Sequence, residues 1–370
     1  MYADEWSFHH PGKIFSGRNC IENFLRLHAH DGGQTLIITT RGAIKRGYIK
    51  KIQDHIQKDN VCVWDQVKPN PGLDDLDRTT NELRNFKISS IIALGGGSVL
   101  DTAKTLSLTL PCVKDNLLHR HFRHKEKLQL DKKISLTAIP TTSGSGAEVT
   151  PFATIWDLTA CKKYSLNHPL LYPEYVLLKP EFCVSLPRMQ TLYSGLDLIS
   201  HALDSLWNIN SNSITQSFAF QALNLANKSF VTVLDNPDDI AGRNDMQHAS
   251  LLAGLAISQT KTAIAHSISY PLTSHYKIPH GLACSFTLPA LLQRNRVFLN
   301  KIQSSELFEK TAAMLNTIDM AGHVKKYADE DSIIILVEKM LSSERAGNYL
   351  MKIDSNYILG ILKQSFDRIQ

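Results

Sequence analysis

The run Ser89-Ser90-Ile91-Ile92-Ala93-Leu94-Gly95-Gly96-Gly97-Ser98-Val99-Leu100-Asp101 passes from a short apolar stretch into three consecutive glycines and then into a helical pattern. An apolar run this short, closed by glycines, reads as a buried strand. The glycines permit positive φ and a close approach of backbone to a ligand. Ser98 is expected to cap the following helix, with Asp101 three residues on in a capping-box-like arrangement. Free N–H groups and the dipole at that helix start favour an anion, and a diphosphate is the natural guest. The Gly-x-Gly-x-x-Gly fingerprint is not met, because Leu100 holds its last glycine position, and no Walker pattern is present. A purely structural tight turn is the competing reading.

Upstream, Thr35–Thr39 and Val61–Trp64 read as further strands, with helical patterns over Ile44–Ile56 and Leu73–Phe86 between them. Downstream, Ile134–Ile139 ends at Pro140 and opens a second glycine-rich loop, Pro140-Thr141-Thr142-Ser143-Gly144-Ser145-Gly146-Ala147-Glu148. Strands alternating with helices of this size predict βαβ units and a mostly parallel, Rossmann-like sheet. Two glycine loops after two strands of one sheet are expected on its carboxyl edge, where such sheets take ligands; a flexible surface loop is the alternative for the second. The segment Pro111–Lys133, rich in Lys, Arg and His, reads as a solvated surface connection, with an anion or partner site as the lesser reading.

From about Pro187 the texture is helical: 189–207, 213–234, 239–259, 262–274, 304–315, 331–341 and 355–366 all carry helical periodicity. The expected organisation is therefore an α/β domain over residues 1–186 and an all-α domain over residues 187–370.

The whole chain has 370 residues, 43% hydrophobic and 20% charged, enough to bury a core without disulfides. A net charge of +5, from 40 basic and 35 acidic residues, permits an anionic ligand but gives no nucleic-acid coat. The six cysteines, Cys20, Cys62, Cys112, Cys161, Cys183 and Cys284, contain no Cys-x-x-Cys pair and fit a reducing compartment. Neither a signal peptide over Met1–Trp6 nor a run of apolar residues long enough for a membrane is read, so a cytoplasmic location is expected.

The helical half carries the sharper chemistry. In Ser194–Leu206 apolar residues surround the helix, so it should be buried. Asp197 and His201 nevertheless lie four apart on one face, and Asp204 continues the stripe. A buried carboxylate beside a buried imidazole needs satisfaction: a divalent metal would supply it, and so would an Asp–His hydrogen bond within a core. His266, in another apolar helix, and His280, at a loop-to-helix junction, complete a set of three imidazoles and one carboxylate suited to Zn²⁺ or Fe²⁺. His275 competes, but its neighbours Ser274, Tyr276 and Lys277 suggest exposure.

Taken together, Phe8-His9-His10-Pro11, Phe15-Ser16-Gly17, Pro69-Asn70-Pro71, Gly95 through Lys104, Thr141 through Glu148, Gly195-Leu196-Asp197 with His201, His266, and Pro279-His280-Gly281 resemble the iron-containing, or group III, alcohol dehydrogenase family in order and over nearly the whole chain. The resemblance implies NAD(P)-linked oxidation of alcohols or reduction of aldehydes, and a helical metal domain. It implies Asp197, His201, His266 and His280 as ligands of Fe²⁺ or Zn²⁺. It places the dinucleotide on Gly95, Gly96, Gly97 and Ser98, with Thr40, Arg41, Asn70, Asp101, Thr141, Thr142 and Ser145 as further candidate contacts for NAD(P)H. A homodimer or larger homo-oligomer is implied as well.

Two departures matter. Many members carry a second histidine four residues after the third ligand; Tyr270 stands there in this chain. Its hydroxyl can donate a hydrogen bond, but a reference pKa of about 10 makes it a poor base at neutral pH. Members preferring NAD often carry an Asp after the strand matching 36–39, where this chain has Thr40-Arg41, so NADPH is expected to be accepted. Ser205–Asn210, Tyr270-Pro271-Leu272 and His275 are most similar to the branch that reduces phosphonoacetaldehyde to hydroxyethylphosphonate. Lys163 and the 119–125 cluster are its candidate phosphonate partners. Two other classes remain: a metal-dependent lyase of the dehydroquinate-synthase type, whose family lacks the Asp-x-x-x-His pair, and a non-catalytic dinucleotide-binding protein.

Overall fold

The computed structural model describes residues 5–28, 33–54, 56, 60–160, 162–341 and 344–367. The N-terminal Met1–Asp4, His55 and Cys161, all touched on above, lie outside the described residues. The chain divides into two compact units: the described residues of His10–Thr142 and Ala147–Cys183 form one, those of Met1–His9, Ser143–Gly146 and Val184–Gln370 the other. The change of texture at Pro187 thus lies just past the passage into the second unit at Val184, whereas residues 5–9 and 143–146 join the helical unit from within the stretch expected to be α/β.

The first unit contains β1 (Lys13–Ser16), α1 (Cys20–His28), β2 (Gln34–Ile38), α2 (Arg41–Lys45), α3 (Tyr48–Gln53), β3 (Val61–Trp64), α4 (Leu73–Leu83), β4 (Ile88–Gly95), α5 (Gly97–Thr109), α6 (Leu117–His124), β5 (Ser135–Pro140), β6 (Phe152–Asp157), β7 (Lys162–Asn167) and β8 (Tyr175–Leu178). Six strands pair in the order β1-β8-β5-β4-β2-β3, and every pairing is parallel. Strand periodicity of two sorts the side chains onto two faces. Leu36, Ile38, Ile91, Ala93, Leu136 and Ala138 meet Val99, Leu100, Ala103 and Leu106 of α5 on one face. Ile37, Ile92, Leu94, Ile139 and Leu177 meet Ile21, Phe24 and Leu25 of α1 and Ile49 and Ile52 of α3 on the other. A sheet covered on both faces explains why its strands read as unbroken apolar runs.

From β2 the chain moves to β3 on one side, and from β4 to β5 on the other. The carboxyl ends of β2 and β4 are neighbours, so Thr40 and the glycine turn at 95–97 flank a topological switch point, the crevice where open α/β sheets bind ligands.

Three local expectations are corrected. The pattern over Ile44–Ile56 is two short helices, α2 and α3, interrupted at Arg46-Gly47. Ser98 does not cap α5: Gly96 holds the cap position without a side-chain hydrogen bond, and Ser98 lies in the first turn. The Pro111–Lys133 segment is not a mere solvated connection. Leu118 and Phe122, four apart and masked by His and Arg, pack with Leu73, Leu76, Leu108 and Ile155, and Leu117 is buried beside them in sequence. The Asp77 carboxylate accepts from Leu118 N (3.0 Å) and His119 N (2.9 Å), serving the start of α6 that Asn116 leaves uncapped. Arg123 then binds Asp157 of the antiparallel β6–β7 hairpin through two 2.8 Å hydrogen bonds, and Arg120 pairs with Glu126.

On the buried side of α5, Lys104 is fully buried and donates to Thr150 Oγ1 (2.9 Å) and Phe152 O (2.8 Å); burial pulls its pKa down to about 8. Buried Glu148 is pushed up to about 7 by desolvation, against the opposing pull of a backbone hydrogen bond and Lys104. Between its ordinary value of 4.5 and about 7, the folded chain keeps a proton at Glu148 that the unfolded chain has released. This group therefore makes stability fall as pH rises through that window, by roughly 3 kcal/mol in all. Glu148→Gln is expected to flatten the change in unfolding midpoint between pH 5 and 7.5; a slope equal to the wild-type slope contradicts this assignment.

The second unit contains α7 (Arg188–Leu206), α8 (Ser213–Asp235), α9 (Ile240–Thr260), α10 (Ile264–Tyr276), α11 (His280–Ala283), α12 (Leu288–Ile302), α13 (Ser305–Asn316), α14 (Met320–Lys325), α15 (Glu330–Ile334), α16 (Val337–Leu341) and α17 (Ser355–Phe366). Its core joins Leu196, Leu198, Ile199, Leu203, Trp207, Phe230, Ile268 and Leu291, all fully buried. Among the described residues, no helix is long and apolar enough to cross a membrane.

Candidate metal centre and nucleotide-binding edge

In the α/β unit the glycine turn at the end of β4 is a shaped cradle. A Cβ on Gly95 would lie 2.4 Å from Val99 Cγ2, and one on Gly96 would lie 2.9 Å from Thr142 Cγ2, so neither position has room for a side chain. The first N–H groups of α5 are left open by the absence of a side-chain cap, which suits an anion. Ser98 Oγ accepts from Asn70 N (3.3 Å), and Thr141 N donates to Gly95 O (3.0 Å), so Asn70 and Thr141 brace this turn. Thr40 Oγ1 accepts from Ala43 N (3.3 Å) at the start of α2, leaving Arg41 exposed beside it.

Other candidates fall elsewhere. Asp101 is engaged within the unit: its Oδ2 accepts from Thr154 N (3.1 Å) and anchors the hairpin. The second glycine loop divides, with Thr141 and Thr142 in the α/β unit and Ser145 in the helical unit. Its Gly144 carbonyl is 3.2 Å from His201 Nδ1, so part of the loop expected to hold nucleotide orients an imidazole. The candidate phosphonate partners are also committed, Arg123 and Arg120 to carboxylates and Lys163 to the face of Trp156 at 5.5 Å.

In the helical unit, α7 is buried nearly all round, and Asp197, His201 and Asp204 are buried with it. α10 begins at Ala263, which cannot cap it with a side chain. Asp204 takes over that task. It accepts from Ala263 N (2.8 Å), Ala265 N (3.2 Å) and His266 N (3.3 Å), and from Trp207 Nε1 (2.8 Å). A carboxylate at a helix N-terminus is stabilised by the open N–H groups and the dipole. Despite burial, these partners and His266 hold Asp204 below the usual carboxylate range.

The same Asp204 Oδ2 lies 2.8 Å from His266 Nδ1, and Gly144 O sits at His201 Nδ1. An acceptor at each Nδ1 makes that nitrogen the N–H and turns the Nε2 lone pair the other way. Both Nε2 atoms face Asp197 Oδ1, at 3.7 Å from His201 and 3.6 Å from His266. His280 adds a third Nε2 at 3.8 Å. It heads α11, which approaches α7 so closely that a Cβ on Gly281 would lie 1.8 Å from Tyr193 O. Ser200 Oγ to Cys284 O and Ser285 Oγ to Leu196 O, both 2.9 Å, staple the two helices.

Burial would raise Asp197, but the three imidazoles hold it far below the usual carboxylate range. Burial pulls His201 down to about 4, so it is a neutral imidazole near pH 7. His266 Nε2 is buried and has no hydrogen-bond partner. His280, with a third of its side chain exposed, forms the open edge of the cluster.

Sequence reasoning missed Cys284. Its Sγ lies 3.3 Å from Asp197 Oδ1, and burial pushes its thiol up, so it donates as a neutral S–H. Asp197, His266, His280 and Cys284 can bring one donor atom each to within 4.8 Å of the others. The signal was present: His280 and Cys284 repeat the four-residue spacing of Asp197 and His201. Tyr270, four residues after His266, is half-buried on α10.

Comparison with known proteins follows the same division. Residues 11–180 match the family model for iron-containing alcohol dehydrogenase, and residues 191–357 match that for the C-terminal part of the Fe-containing alcohol dehydrogenase family. Aldehyde-alcohol dehydrogenase 2 of Entamoeba histolytica is 28% identical over 302 residues, 79% of this chain and 34% of that one, so this chain spans about a third of that relative's length. Sulfoacetaldehyde reductase of Bilophila wadsworthia is 29% identical over 316 residues, 85% of this chain and 78% of the relative. The crystal structure of sulfoacetaldehyde reductase from Bifidobacterium kashiwanohense in complex with NAD⁺ superposes with a TM-score of 0.87 over 98% of this chain and 99% of that one at 23% identity, which establishes a shared fold. Two family models covering both halves of the chain, over a parallel sheet and a helical unit of this kind, make it a member of the iron-containing alcohol dehydrogenase family.

Proposed function

We propose that this protein is a metal-dependent, NAD(P)H-linked aldehyde reductase and alcohol dehydrogenase, with Asp197, His201, His266 and His280 holding the ion. The observation that carries this reading is the convergence of three Nε2 atoms on one carboxylate oxygen at 3.6–3.8 Å. Donors around a tetrahedral ion with bonds of about 2.0–2.1 Å lie about 3.4 Å apart, close to this spacing. The unpartnered, buried Nε2 of His266 is the orphaned donor that an ion would satisfy. The set of three imidazoles and a carboxylate suits Fe²⁺ or Zn²⁺. Cys284, as a neutral thiol, supports Asp197 by hydrogen bonding rather than joining the set.

When bound, the ion supplies Lewis acidity toward the carbonyl oxygen and the nicotinamide supplies the hydride. The residues of this chain do the rest. Gly95, Gly96, Gly97 and Ser98 offer backbone N–H groups to the diphosphate. Arg41 offers its guanidinium to a 2′-phosphate, so NADPH is accepted. Asp204 and Gly144 fix the tautomers of His266 and His201. Tyr270 is the candidate proton donor: its hydroxyl can give the proton that the new alcohol needs when an aldehyde is reduced. Small aldehydes are the substrate class, phosphonoacetaldehyde and sulfoacetaldehyde among them. The protein acts in the cytoplasm as a homodimer or larger homo-oligomer.

The test is an aldehyde panel assayed with NADPH and NADH after loading with Fe²⁺ or Zn²⁺. Wild-type protein is expected to oxidise reduced nicotinamide with at least one aldehyde. His280→Ala is expected to lose metal and at least 10³-fold in turnover, on the order expected for loss of electrophilic stabilisation, while still binding NADPH. A metal-free protein with full turnover overturns the reading. Arg41→Ala is expected to raise KM for NADPH about tenfold, as one charge-assisted contact is worth, with KM for NADH little changed; equal effects on both place Arg41 away from the 2′-phosphate.

A further inference from the structure

In the helical unit, Arg345 is a cation for which no side chain among the described residues supplies a hydrogen bond or ion pair. Arg345 begins the short turn 345–349, which packs against α10. The turn is fixed at its C-terminal end. Ile209 N donates to Asn348 O (2.9 Å), Leu350 N to Trp207 O (3.2 Å), and Asn348 Nδ2 to Thr262 O (2.9 Å). Trp207 follows Asp204 off the end of α7, and Thr262 precedes His266 on the way into α10, so this turn is stapled to the two chain segments that frame the metal cluster. Tyr349 locks it further, donating to Asn295 Oδ1 at 2.9 Å.

The Arg345 guanidinium is half-buried, and burial holds its pKa below the ordinary value. Its charge acts on Tyr270, one turn past His266, on the neighbouring Glu344 and on Asp204. Yet among the described residues its guanidinium makes no hydrogen bond or ion pair. The Asp204 oxygens are already taken by Trp207, His266 and the start of α10. A guanidinium removed from water without a partner is costly, and five fixed donors in a planar fork match a carboxylate, sulfonate or phosphonate. The placement, on a rigid turn beside the helix that carries His266 and Tyr270, suits the far end of a short substrate whose carbonyl is at the cluster.

We infer that Arg345 is the anchor for an anionic head group on the substrate, so that the preferred substrates are short aldehydes carrying a carboxylate, sulfonate or phosphonate. This rests on the reading of the protein as an aldehyde reductase. It replaces Lys163 and the 119–125 cluster, of which Lys163, Arg120 and Arg123 are engaged in the other unit, as the source of anion recognition.

The test compares kcat/KM for sulfoacetaldehyde, phosphonoacetaldehyde and succinic semialdehyde with that for butanal, in the metal-loaded wild type and in Arg345→Met and Arg345→Lys. The wild type is expected to favour at least one anionic aldehyde over butanal by tenfold or more. Arg345→Met is expected to lower that ratio at least tenfold through KM, and Arg345→Lys to restore part of it. Which anion gives the largest ratio names the head group. A second readout needs no turnover: ethanesulfonate, ethylphosphonate or propionate should raise the unfolding midpoint of the wild type and not that of Arg345→Met. Preference for butanal in the wild type, or a ratio indifferent to both substitutions, overturns the inference while leaving the reductase reading intact. Absence of turnover with every aldehyde overturns that reading instead, and the midpoint shift still decides whether Arg345 binds an anion.

Discussion

A buried carboxylate facing three imidazole nitrogens is the constraint around which the helical unit is organised. Asp197 cannot be neutralised by any one of its neighbours: each Nε2 stands 3.6–3.8 Å from Oδ1, beyond a good hydrogen bond and close to the edge of a coordination tetrahedron. The surrounding interactions maintain that spacing. Asp204 caps α10 and orients His266 in one stroke, Gly144 orients His201, and the Ser200 and Ser285 hydroxyls hold α11 against α7 so that His280 completes the ring. A side chain at position 281 would push α11 away from Tyr193 and open the cluster.

The α/β unit follows a separate logic. Its parallel sheet is covered on both faces, and the direction of chain travel reverses between β2 and β4. The crevice at that reversal is set by topology, and the local residues only refine it. Glycines at 95 and 96 leave room that any Cβ would fill, and α5 starts without a side-chain cap. Lys104 of α5 and the nearby Glu148, both buried, give this unit a pH-sensitive core.

Much of this was legible in the amino-acid order because it depends on local pattern. The run from Ile91 to Gly97 announces a buried strand and a turn, and the four-residue spacing of Asp197 and His201 on an apolar helix announces a buried polar pair that needs an explanation. What escaped depends on distant partners. Ser98 has the chemistry of a cap, but the chain enters α5 two residues earlier, at Gly96. The pair Leu118 and Phe122 is hidden by His119, Arg120, His121 and Arg123, and Asp77, far upstream, serves the start of α6. The second glycine loop resembles the first in composition, yet Gly144 belongs with α7, not with the sheet. Cys284 and Arg345 carry no motif. Their meaning comes from the carboxylate that Cys284 touches and from the hydrogen bond that no described side chain gives to the Arg345 guanidinium.

Anomalous diffraction from crystals of the protein loaded with Fe²⁺ or Zn²⁺, recorded on either side of the metal absorption edge, tests the central claim most directly. The account predicts a single strong peak bonded to Asp197 Oδ1 and to Nε2 of His201, His266 and His280, with Cys284 Sγ outside bonding distance. A peak elsewhere, a Cys284 sulfur among the ligands, or no ordered ion among these four side chains would contradict it.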